Sequence, residues 1–110
     1  MTSKKKKKQA NLNGKQKKFL RGLGHHLDPI VYVGKEGITE NLEQSLLDAL
    51  KSRELIKVKL GQNCEVPKKE AAEQLAEITG AALVQLIGKT VLLYQINRDI
   101  KSDKRISLPK

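Results

Sequence analysis

Ile30-Val31-Tyr32-Val33-Gly34-Lys35-Glu36-Gly37-Ile38-Thr39 contains three signals in succession. Ile30 to Val33 is an unbroken apolar run of strand length, which suits an interior strand covered on both sides or nearly so. Gly34 and Gly37 bracket Lys35-Glu36 in a tight turn. Thr39 is a helix N-cap residue, and Glu40 after it favours the first turn. A strand, a glycine-bracketed loop and a helix start present backbone N–H groups to an anionic ligand. Glycine also allows positive φ and close backbone approach.

Working outward, Asp28-Pro29 ends a preceding helix. That helix is expected from an Asn13 N-cap to about His26, with Phe19, Leu20, Leu23 and Leu27 as its buried stripe. Lys15, Lys18, Arg21 and His25 recur at intervals of three and four and so share one flank. No acidic residue precedes Asp28. Ordinary solvated faces mix signs, so this flank reads as phosphate-binding.

Downstream of Thr39, Leu42, Leu46, Ala49 and Leu50 give the second helix its apolar face. Leu55 to Leu60 alternates cleanly, with Ile56, Val58 and Leu60 on one face and Lys57 and Lys59 on the other. Pro67 suits the first position of a third helix, Ala71, Ala72, Leu75, Ala76 and Ile78 form its apolar face, and Gly80 stops it. Leu83–Ile87 and Val91–Ile96 are two strands joined by Gly88-Lys89, a two-residue turn of type II′. The order α-β-α-β-α-β-β predicts an α/β fold: a two-layer sandwich with helices on one side of a four-stranded mixed sheet.

Charge sorts by position. The formal net charge is +10, with +8 in residues 1–28, −1 in residues 29–96 and +3 in residues 97–110. The folded middle is therefore near neutral, and the flanks call for a polyanion, either nucleic acid or an anionic membrane surface. The run Lys4–Lys8 cannot bury anything. Three segments follow: a disordered basic arm over 1–11, a binding domain over 12–97 and a basic tail over 98–110.

Several function classes drop out. A single cysteine, Cys64, excludes an internal disulfide and a cysteine-based zinc site. No apolar run reaches membrane-spanning length, and no apolar segment follows the first lysines as in a secretory signal. The expected setting is cytoplasmic. Gly88-Lys89-Thr90 fails as a phosphate loop, because Leu83 stands where that pattern needs glycine and the segment joins two strands. His25-His26 has no third histidine or carboxylate pair to complete a ligand set. No nucleophile–base arrangement stands out, so no enzyme, cofactor or metal is expected. One Phe, two Tyr and no Trp are too few for a sheet that stacks several bases, which favours recognition of shape and backbone.

Glycine-bracketed loops of this kind clamp a single-stranded nucleic-acid backbone in KH domains. Joint motifs extend the comparison. Lys15-Gln16, Leu20-Arg21-Gly22-Leu23, His25-His26-Leu27-x-Pro29 and Val33-Gly34-Lys35-Glu36-Gly37-Ile38-Thr39-Glu40 follow one another in order. Glu54-Leu55-Ile56-Lys57-Val58-Lys59, then Val84-Gln85-Leu86-Ile87-Gly88-Lys89-Thr90-x-x-Leu93-Tyr94, then Ile106-Ser107-Leu108-Pro109 continue the series. Together they resemble the CRM domain, named for chloroplast RNA splicing and ribosome maturation, and in particular its stand-alone bacterial YhbY-like members.

That resemblance implies a fold similar to the C-terminal domain of translation initiation factor three. It implies RNA binding through Gly34, Lys35 and Gly37 and the adjacent basic surface. The RNA expected by analogy is ribosomal RNA of the large-subunit precursor, bound during assembly; separately, a monomer is expected. The alternatives are an adaptor on ribosomal proteins, touching RNA only through its flanks, and an intron-RNA splicing factor. Lys15, Lys18, Arg21 and His25 extend the site, with Lys57 and Lys59 on the wet strand face as further candidates. The departures from the family pattern are Glu36 in the loop, Gly24 where a small residue such as alanine is usual, Gln95 where a basic residue often follows the tyrosine, and the Lys4–Lys8 arm.

Overall fold

The computed structural model describes residues 12–97 and 106–109. The lysine arm and most of the expected tail lie outside the described residues. The elements are α1 (Gly14–Gly24), β1 (Val31–Val33), α2 (Glu40–Arg53), β2 (Leu55–Leu60), α3 (Lys68–Thr79), β3 (Ala82–Ile87) and β4 (Thr90–Tyr94). The strands form one sheet in the order β1-β2-β4-β3. β1 runs parallel to β2, and the other two pairings are antiparallel. The expected element order and mixed sheet are both present.

Local chemistry sets most boundaries. Asn13 caps α1 through a reciprocal box: its side chain accepts from the Gln16 N–H at 2.8 Å, while Gln16 Oε1 accepts from the Asn13 N–H. The Thr39 hydroxyl accepts from the Leu42 N–H at 3.1 Å to open α2. Gly80 closes α3 at φ 76°. Pro67 is the residue just before α3 and not its first, a shift of one position. Gly88 has φ 56°, while Lys89 stays out of the left-handed region, the pattern of the expected type II′ turn.

The sheet is covered on both faces, which corrects the expectation that all helices pack on one side. The larger core joins Val31, Val33, Ile56, Val58, Leu60, Val91 and Leu93 to Leu46 and Leu50 of α2 and to the alanine face of α3. The opposite face carries a second core, where Leu20 of α1 meets Leu55, Val84, Leu92 and Tyr94. Ile106 and Leu108 pack against this second core, so residues 106–109 return to the sheet beside α1. The Gln16 side-chain amide donates to the Pro109 carbonyl at 3.0 Å and ties the two together.

α1 is narrower in its contacts than its apolar spacing suggests. Leu20 and Gly24 are its buried residues, whereas Phe19, Leu23 and Leu27 are 36–39% exposed. Gly24 is what lets α1 sit so close. A Cβ there would lie 2.6 Å from Leu92 Cδ2. The helix therefore touches the sheet along an i, i+4 line, and its neighbouring apolar residues stand at the rim.

This placement also corrects the reading of Ile30 to Val33 as a strand covered on both faces. β1 is an edge strand, and α1 lies over the other strands. Val31 and Val33 are buried against α2, while Tyr32 on the α1 side is 65% exposed.

Candidate nucleic-acid interface

The Gly34–Gly37 loop leaves β1 at one end of the sheet. The Gly37 N–H donates to the Gly34 carbonyl at 3.0 Å, which makes Lys35 and Glu36 the exposed centre of a β-turn. Gly37 has φ +71°, a conformation that suits glycine, whereas Gly34 stays outside that region. At both positions an added Cβ would meet nothing within 4 Å. The fold leaves this backbone open to an incoming group. A concavity of about 510 Å³ at the loop is lined by Tyr32, Gly34, Lys35, Gly37, Thr39 and Asn41, among others; Glu36 is the one carboxylate on its wall.

Two more turns converge on the same end. The Gly61 N–H donates to the Val33 carbonyl at 2.8 Å, and the Leu60 N–H donates to the Lys89 carbonyl at 2.7 Å. The β3–β4 hairpin tip, with exposed Lys89, thus lies beside the end of β2.

On the α1 face, the registers align one side chain from each strand: Tyr32, Lys59, Thr90 and Ile87. One step further from the loop, Lys57, Leu92 and Gln85 form the next row. There α1 meets the sheet, and a groove of about 690 Å³ opens between them. Lys18, Arg21 and His25 of the helix flank and Lys57 of the strand line it, with Gln85 and Thr90 and no carboxylate. Lys57, placed on the wet strand face from its alternation, therefore faces the same space as the helix flank. Lys59 stands between this groove and the loop. Lys15 is exposed in the first turn of α1, outside the groove lining.

His25 and His26 part company. Their rings stand edge to face at 5.6 Å just past the end of α1. His25 opens on the basic groove, whereas His26 lines a separate cleft with Leu23, Leu27, Ile30 and Ile106. Among the described residues no three His, Cys, Asp or Glu side chains group as a metal site. Cys64 is half-buried, with its thiol 3.8 Å from the Val66 carbonyl. No helix of the described residues is long and apolar enough to cross a membrane.

Sequence reasoning missed two residues. Tyr32 stands in a run whose apolar character suggests cover on both sides, although its position between two valines in a strand places it on the opposite face from them. Glu54 was noted only as part of a motif, yet it is 1% exposed at the α2–β2 junction with φ 63°.

Residues 12–95 match the family model for the CRS1 / YhbY (CRM) domain. The chain belongs to this family. The CRM chain is 48% identical over 98 residues to the "Probable RNA-binding protein YqeI" of Bacillus subtilis, covering 89% of this chain and 99% of that one. It is 39% identical to an RNA-binding protein of Haemophilus influenzae, over 90% and 96% of the two chains. The fold of the CRM chain also matches the solution structure of the protein SAV1595 from Staphylococcus aureus, described as an RNA-binding candidate. The TM-score is 0.74 at 46% identity, covering 90% of this chain and all of that one.

Proposed function

We propose that this CRM protein binds RNA without catalysing a reaction, and that its target is ribosomal RNA of the large-subunit precursor during assembly. The observation that carries the RNA reading is the carboxylate-free groove of Lys18, Arg21, His25 and Lys57, continued through Lys59 to the open Gly34–Gly37 backbone. A track of cations ending at an open, glycine-bracketed loop suits a chain of phosphates better than a single small anion. The names of the relatives point the same way. The choice of ribosomal RNA rests on the resemblance to the stand-alone bacterial members; a cytoplasmic setting and a monomeric state belong to the same proposal.

In this reading Lys35 contacts a phosphate at the loop, Lys18, Arg21 and Lys57 hold the backbone along the groove, and Lys59 bridges the two. His25 adds a donor at the groove wall, and Lys15 extends the positive field at the helix start. Glu36 weakens the loop's own attraction, so the loop positions the backbone while the groove supplies most of the electrostatic affinity. Domain limits at residues 12 and 97 and RNA contact by the Lys4–Lys8 arm belong to the same proposal.

Crosslinking in cells followed by sequencing of the bound RNA tests it. Enrichment of large-subunit precursor over mature RNA is the expected result. Enrichment of intron RNA would move the function to splicing. Recovery of ribosomal proteins without RNA would move it to an adaptor role, for which the apolar cleft of Leu23, Leu27, Ile30 and Ile106 offers a surface.

A further inference from the structure

We propose that Tyr32 is a base-stacking residue, and that the RNA segment held at the Gly34–Gly37 loop is therefore unpaired. This rests on the RNA-binding reading and names the form of RNA that the same site takes. Three aromatic residues are too few for a stacking sheet, and the fold uses Tyr94 in the core. Tyr32 is different. At 65% it is the most exposed of the large apolar side chains among the described residues. It lines the loop concavity with Lys35 and stands opposite Lys59 in the β1–β2 register, about 5 Å away strand to strand. A ring flanked by two cations is a single stacking point with a phosphate clamp on either side.

The chemistry selects the ligand. In a paired A-form helix the base faces are already stacked, so only phosphates and 2′-hydroxyls reach a protein surface. An unpaired nucleotide offers a free base face next to its phosphates, and stacking tolerates any base because each has a π-face. Ile30 lies two residues earlier in the chain but opens on the apolar cleft, so the surface around Tyr32 is not simply that cleft continued.

Two probes and three variants test this. Affinities are measured for an unstructured RNA of about 12 nucleotides and for a fully paired, blunt-ended RNA duplex of matched charge. Tyr32→Ala should weaken the unstructured RNA by about 5- to 150-fold and leave the duplex within about twofold. Tyr32→Phe should retain binding of both. Circular dichroism should show all variants folded, as Tyr32 fills no core. Equal binding of the unstructured RNA by Tyr32→Ala, or equal losses on both probes, overturns the stacking role. The double variant Lys18→Glu/Arg21→Glu separates the two levels. Its loss of both probes supports the RNA reading whatever Tyr32 does, whereas undiminished binding of both overturns that reading and the stacking role with it.

Discussion

Glu54 and Ile106 are 52 residues apart in sequence, yet Glu54 Oε1 accepts the Ile106 N–H at 2.9 Å. The other carboxylate oxygen accepts the Asn97 N–H at 2.8 Å, and the Glu54 carbonyl accepts from Gln95. One buried side chain at the end of α2 thus holds the chain both where it leaves the sheet and where it returns. Its φ of 63° is strained for a residue with a Cβ.

Glu54→Ala should destabilise the fold by about 2–4 kcal/mol, since it leaves two N–H groups without their charged acceptor. Glu54→Gln should cost about half as much, because one of the two acceptors survives. Urea midpoints measure both. Amide exchange at Ile106 should accelerate in each variant well before global unfolding.

Gly24→Val should destabilise by about 1–3 kcal/mol through crowding against Leu92. Combining it with Leu92→Ala should recover part of that loss, giving a coupling energy above about 0.5 kcal/mol in a double-mutant cycle. Simple additivity would mean that α1 does not rest on Leu92 as described. Leu20→Ala, at the centre of the same contact and fully buried, should cost about 2–5 kcal/mol.

The two loop glycines should separate fold from binding. Gly34→Ala meets no atom and needs no unusual φ, so its urea midpoint should match the parent. Gly37→Asp must adopt φ near +71°, at about 1 kcal/mol, which aspartate tolerates better than most residues. Gly37→Asp should abolish RNA binding in a filter assay while the circular dichroism spectrum persists. Undiminished binding would remove the loop from the interface.

Salt should weaken RNA binding steeply. Four to six phosphate contacts predict a loss of about 10²- to 10³-fold over a fourfold salt increase. Lys18→Ala and Arg21→Ala should each lower the slope of log affinity against log salt by about one. A flat salt profile would exclude the proposed groove contacts.

Much of this fold was readable because its signals are local. Thr39, Gly80 and Gly88-Lys89 act within a few residues of themselves, and the alternation from Ile56 to Leu60 has no helical rival. The side of the sheet that α1 covers was not readable. Periodicity marks an apolar stripe but carries no information about which face receives it, and both faces of this sheet are apolar over part of their area. The basic flank was visible from spacing, whereas its meeting with Lys57 depended on that same choice of face. Glu54 left no local trace. Its partners lie 43 and 52 residues away, and a lone glutamate at the end of a helix ordinarily faces water.

The bond from Gln16 to the Pro109 carbonyl sets the electrical shape of the molecule. It brings the start of α1 to the last described residues, so both lie on one face of the sheet, the face that carries the groove. The near-neutral scaffold adds little on the other side. If the basic flanks extend from that face, as proposed, the molecule would meet a polyanion with its charged side first. The signature of such steering is an association rate constant that climbs as salt is removed, more than the dissociation rate falls.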